Sequence, residues 1–171
     1  VKVLSSEDGL GNSVVLCMLQ REDGTILAGT DGGGISVIKQ KKVIHTIKRS
    51  EKLDSDVILR IVQDKGGEGV FLVTSNGLCY MKDEDNIQKL NNFPYSNNFD
   101  IYDDGEGKLF VTGSAGIYVT SKENLLSGST TGFQLLDYLS GLRGSLTANA
   151  WNYVDKDNVW YIANGTGVTK L

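Results

Sequence analysis

Apolar positions along the chain fall into short runs, each closed by Gly, Asp or Asn, and almost nowhere do they recur at the spacing of an amphipathic helix. The stretch GLGNSVVLCMLQREDGTILAGTDGGGISVI, Gly9 to Ile38, is a turn, an apolar run, an Asp-Gly turn, a second apolar run, three glycines and a third apolar run. The same order then returns. Leu10-Gly-Asn-Ser-Val14 is echoed by Leu53-Asp-Ser-Asp-Val57, more loosely by Phe93-Pro-Tyr-Ser-Asn97, and again by Leu142-Arg-Gly-Ser-Leu146, at steps of 43, 40 and 49 residues.

Each anchor opens a first strand: VVLCMLQ, VILRIVQD, NNFDIYDD and LTANAWNYVD. The second strands are TILAGT, GVFLVT, KLFVTG and NVWYIA, with Leu27, Phe71, Phe110 and Trp160 at a matched position. Gly34, Gly77, Gly116 and Gly167 lead into the third strands, and VIHTIK, NIQKL and FQLLDYL form fourth strands, with VKVLSS at the start in the same relation to Leu10. Four short strands per ~40–50 residues with polar turns is the pattern of a propeller blade. The fold expected is all-β: a β-propeller of about four four-stranded antiparallel blades, part of a larger propeller or closed end to end. Residues 1–9 are expected to be the last strand of a preceding or closing blade, 10–52, 53–92 and 93–141 whole blades, and 142–171 the first three strands of another. One helical turn is expected at Ser121 to Gly128, between a capping Ser and a stopping Gly, as an insertion in the longest unit.

Composition sharpens this. Twenty-one glycines against 1 proline suit tight turns that need positive φ. The net charge of −4, with no basic stripe, argues against nucleic acid as a partner, and Lys39, Lys41 and Lys42 read as a solvated hairpin turn. Cys17 and Cys79 sit in apolar runs without a CxxC partner and read as small buried hydrophobes. No run reaches the ~18 apolar residues a bilayer crossing needs, so a membrane is expected only through a segment outside this chain.

Motifs for catalysis and cofactors are lacking. His45, the one histidine, falls in an outer strand, and no GxSxG, HExxH or Walker loop occurs. Gly32, Gly33 and Gly34 precede a strand, not the helix a phosphate loop requires. REDGT, DDGEGK and DKDN lack the spaced ligand set of a calcium loop and read as hairpin turns. Asn164-Gly165-Thr166 matches a glycosylation sequon but also forms the expected turn. Neither an enzyme, a metal site nor a cofactor is expected.

The first unit, echoed by SGLRGSLTANAWNYVDKDNVWYIANGTGVTKL, resembles the two-component regulator propeller repeat: a GL-x-N/S-x-V start, a D-x-x-G turn, an I-W-I-G-T strand and a D-G-G-G/L turn. The resemblance covers nearly the whole chain, best in the first unit and worst in the third, where Phe93 and Asn97 replace Leu and Val. Leu27, Phe71 and Phe110 stand where the family most often has Trp. It implies the periplasmic or extracellular sensor portion of a membrane receptor such as a hybrid histidine kinase or a diguanylate cyclase. A protein-interaction scaffold without a small ligand is the alternative.

In an up-and-down sheet the loop entering the first strand and the loop between the second and third emerge at one end. That end is expected to carry the site: Asn12, Asp31, Asp56, Asn76, Arg143 and Asn164, with neighbouring serines, and Trp151 or Tyr102 for stacking. Carboxamides, hydroxyls and a guanidinium beside an aromatic face suit an oligosaccharide or another small polar ligand. A homo-oligomer, or further blades, is expected to cover the faces left open.

Overall fold

A computed structural model describes residues 3–50, 52–148 and 150–171. They form four antiparallel sheets in series. The first comprises β1 (Val15–Gln20), β2 (Ile26–Thr30), β3 (Ile35–Lys39) and β4 (Lys42–Ile47); the second β5 (Ile58–Gln63), β6 (Val70–Thr74), β7 (Leu78–Met81) and β8 (Ile87–Lys89). The third comprises β9 (Asn98–Asp103), β10 (Lys108–Gly113), β11 (Gly116–Ser121) and β12 (Gln134–Leu136), and the last β13 (Tyr153–Val154), β14 (Trp160–Asn164) and β15 (Gly167–Lys170). Every sheet runs in chain order, so each strand pairs with its sequence neighbours.

The continuous apolar runs of the second strands follow from burial on both faces. Along β6, Val70 and Leu72 enter a core shared with Leu27, Ile35 and Val37 of the first sheet, while Phe71 and Val73 enter one shared with Ile101, Leu109 and Val111 of the third. Side chains alternate along a strand, so one run serves two interfaces. A further core joins Phe110 and Ile117 of the third sheet to Trp160 and Ile162 of the last. No described core joins the first sheet to the last, and no sheet closes on itself. The outward face of the first sheet leaves Val15 and Met18 exposed.

Gly34 shows why the turns before the third strands need glycine. Its φ is +74°, and an added Cβ would lie 2.0 Å from the Ile47 carbonyl oxygen. The expected helix is α1 (Lys122–Ser127), between β11 and β12, with Ser121 accepting from the Asn124 N–H and Gly128 closing it at φ 80°.

Three expectations need correction. The opening segment VKVLSS falls partly on Val1 and Lys2, outside the described residues, and Val3 to Ser5 form no strand but lead into the 3-10 turn Ser6–Asp8, capped by Ser5. In LTANAWNYVD, Asn149 lies outside the described residues, and among the others only Tyr153 and Val154 pair as a strand, while Ala150 O accepts from Arg60 of β5. Trp160 is one residue out of register with Leu27, Phe71 and Phe110. Those three pair with Val37, Tyr80 and Val119, each three residues after the turn glycine, and the residue so placed in the last sheet is Tyr161, opposite Lys170. A one-residue step reverses the face. Trp160 therefore looks back at the third sheet, as Val70 and Leu109 look back at theirs.

Candidate functional site

One hydrogen bond recurs in all four sheets. The first N–H after the second strand donates to the chain entering the first strand: Asp31 to Val14 O (2.9 Å), Ser75 to Val57 O (3.1 Å), Ser114 to Asn97 O (3.1 Å) and Gly165 to Ser145 O (2.9 Å). Both expected loop sets thus meet at one end of each sheet.

Most of the chosen polar residues are spent on that end's own turns. Asn12 Oδ1 accepts from the Val14 N–H at 2.8 Å, and Asp56 Oδ1 from the Arg49 N–H at 2.6 Å. Asp31 pairs with Val57 in an isolated bridge. Asn76 donates to the Asp54 carbonyl at 2.9 Å, and Asn164 to Thr169 Oγ1 at 2.8 Å. Arg143 lies over the Tyr138 ring at 4.4 Å. Tyr102 is not a surface platform: it is buried against Trp160, with ring centroids 5.2 Å apart, and its hydroxyl donates to Asn158 O.

Two equivalent clefts remain between successive sheets. Asp54, Asn76, Phe93 and Tyr95 line one of about 300 Å³. Ser114, Asp137, Tyr138 and Ser145 line one of about 330 Å³. The corresponding space between the first two sheets is closed by Gly32 and Gly34 N–H groups donating to Asp56 O. Thr74, absent from the sequence reading, supports the first cleft: its hydroxyl donates to Asp54 Oδ1 at 2.7 Å and accepts from the Asn76 and Gly77 N–H groups.

Beneath the loops a second constellation forms, and only Trp151 was foreseen. Cys17, Arg60 and Asp100 occupy one repeat position, each just after a register shift in its first strand. Trp151, two residues before Tyr153, is its counterpart in the last sheet, since Tyr153 opposite Tyr161 matches Leu19 opposite Leu27. Bulges re-aim side chains. Here the bulges of β5 and β9 bring Arg60 and Asp100 together beside Trp151, ahead of β13: Arg60 Nε lies 3.9 Å from Asp100 Oδ2, and its guanidinium carbon 5.1 Å from the Trp151 ring. Arg60 Nη1 donates to Leu59 O (2.7 Å) and Nη2 to Ala150 O (2.9 Å), while Asn152 donates to Asp100 Oδ2 (2.7 Å). Charges inside the apolar runs VILRIVQD and NNFDIYDD were the available signal.

Burial pushes the Asp100 carboxyl above its usual range, against the lowering pull of Asn152 and Arg60. A raised carboxyl means that the fold holds a proton the unfolded chain releases, so this contribution to stability is full below ~3.9 and is lost as pH rises through the folded pKa. Charged Arg60 and the Cys17 thiol are the titratable groups facing it. Asp100→Asn should therefore flatten the stability profile above pH 4 and cost under ~1 kcal/mol at pH 7, where breaking a conventional buried ion pair costs ~3–5. Urea unfolding between pH 4 and 8 checks this; an unchanged slope rejects it.

Burial raises the Cys17 thiol to about 11 and the Cys79 thiol to about 12, and both cysteines are free. Among the described residues no group of three or more His, Cys, Asp or Glu could hold a metal ion. Asp23, Asp104 and Asp155 accept from N–H groups of their own hairpin turns. His45 is exposed on β4. No described helix is long and apolar enough to cross a membrane.

No protein-family model and no curated protein matches the chain. Solved structures do. The extracellular domain of BT3049 from B. thetaiotaomicron, assigned to the hybrid two-component systems, superposes with a TM-score of 0.80 at 19% identity, over 99% of this chain and 23% of that one. The extracellular domain of BT4673 from the same organism, assigned to the one-component systems, gives 0.71 at 21% identity, over 95% and 22%. PorZ, a surface component of the Porphyromonas gingivalis type-IX secretion system, gives 0.55 at 13% identity, over 99% and 24%. The chain thus spans about a quarter of the length of these neighbours, and shares their fold over that span.

Proposed function

We propose that the chain is the ligand-reading part of an extracytoplasmic sensor, a non-catalytic run of four β-propeller blades whose loop end receives a polyhydroxylated ligand such as an oligosaccharide. The carrying observation is the convergence of equivalent loop pairs at one end of all four sheets. The fold shared with the extracellular domains of BT3049 and BT4673 supports the sensor role and a periplasmic or extracellular place in a membrane receptor of the two-component regulator type. A ligand drives such a receptor only through its different affinities for the two signalling states.

Thermal shift against an oligosaccharide panel, with light scattering on the same sample, tests the reading. A specific rise in Tm supports it, and a folded monomer that no glycan stabilises rejects it. One observation favours the scaffold alternative: the open face of the first sheet carries an apolar recess of about 730 Å³ lined by Leu10, Val15, Met18, Ile26 and Ile38. A sample that self-associates and ignores every glycan moves the assignment to that alternative.

A further inference from the structure

We propose that Arg60, with Trp151 beside it, is the recognition point for the anionic group of an acidic saccharide, a carboxylate or sulfate on a sugar ring that stacks on the indole. This rests on the sensor reading and narrows its ligand class. Register is the first support. The position just after the first-strand bulge is occupied by Cys17, Arg60 and Asp100 in the first three sheets, three chemistries at one repeat site, and Trp151 stands two residues ahead of β13. The packing position bearing Leu27, Phe71 and Phe110 stays apolar over the same three sheets, so this site varies where the core does not.

The second support is the state of the guanidinium. Two backbone carbonyls fix it in place, Leu59 O at 2.7 Å and Ala150 O at 2.9 Å. Asp100 approaches only to 3.9 Å, too far for a hydrogen bond, and Asn152 already donates to the same Oδ2. Desolvation also favours the neutral form of that carboxyl. The positive charge is positioned yet incompletely compensated, and a planar fork of donors in that state suits a carboxylate or sulfate. The third support is Trp151, 75% exposed with Arg60 over its ring. An exposed indole beside a fixed cation offers a sugar both a stacking face and an ion pair.

The experiment uses the tryptophans as reporters. Trp160 is buried and Trp151 exposed, so a ligand-dependent emission change that disappears in Trp151→Phe reports this site. Three probes are titrated: an oligogalacturonide, a sulfated disaccharide and a neutral oligosaccharide of matched length. The acidic probes should bind, weaken as salt is raised, and lose at least ~30-fold in affinity with Arg60→Gln. Arg60→Lys, which keeps the charge without the fork, should retain part of the affinity. It also guards against a misfolded Arg60→Gln, whose circular dichroism must match the parent. Neutral-glycan binding that Arg60→Gln leaves unchanged overturns this inference and leaves the sensor reading intact. Binding by none of the three overturns the inference, and only a failed wider thermal-shift panel removes the sensor reading with it.

Discussion

Lys122→Met is expected to lower the unfolding free energy by ~3–5 kcal/mol, the cost of leaving buried carboxylates without their cation. The Lys122 ammonium donates to Asp64 Oδ1 and, at 2.7 Å, to Lys65 O, and pairs with Asp103 Oδ2 at 2.8 Å. The carboxylates are 3% and 0% exposed and the lysine 18%. Asp64 further accepts from the Tyr80 hydroxyl at 2.7 Å, and Asp103 from the Lys65 N–H at 2.8 Å. Lys122 opens α1 in the third sheet, whereas Asp64 follows β5 in the second, so one ammonium fastens two sheets. Desolvation pulls the Lys122 pKa down, but the hydrogen bonds to Asp103 and Asp64 outweigh it and raise the value. A raised lysine stabilises fully below ~10.4 and loses that contribution as pH climbs through the folded pKa. The gap between parent and variant should therefore hold through neutral pH and shrink only in strong alkali. Urea unfolding at pH 7 and 11 measures it; a loss under ~1 kcal/mol at pH 7 would show that the carboxylates are satisfied without the lysine.

Strand order was legible in the sequence because local chemistry sets it. Asp-Gly and Gly-Gly turns punctuate the apolar runs, and the helix at Ser121 to Gly128 announced itself through its caps. Register in the last unit was not. NVWYIA aligns with KLFVTG by its aromatic residue, but the face a strand residue takes is set by its count from the turn, and Gly167 places Tyr161 where Phe110 stands. The loop end was legible from topology, yet the fate of its side chains was not, because Asn12 and Asp56 find N–H partners within their own loops. Arg60 and Asp100 escaped notice for a different reason. Each is a single charge in an apolar run, and only packing between sheets brings them 3.9 Å apart.

That register gives the second large effect. Trp160→Ala should cost ~3–5 kcal/mol, as removing a buried aromatic does, and should act locally. The indole is 2% exposed, stacked on Tyr102 at 5.2 Å and edge-on to Phe110 at 6.5 Å, in the core that joins the last two sheets. Sheets packed in series exchange stability mainly with their neighbours. Amide hydrogen exchange should then rise across β13, β14 and β15 while β2 and β6, buried in the core of the first two sheets, stay protected. Tyr161→Ala is the control. It occupies the position of Leu27, Phe71 and Phe110, but among the described residues no further core packs against that face of the last sheet, and its hydroxyl donates to Asp155 Oδ2 at 3.1 Å. Its cost should stay below ~1 kcal/mol. Equal losses from the two substitutions would mean that both faces of β14 are buried in solution. The face bearing Tyr161 would then be covered by another part of the chain or by a second copy, and light scattering on the same samples would separate the two.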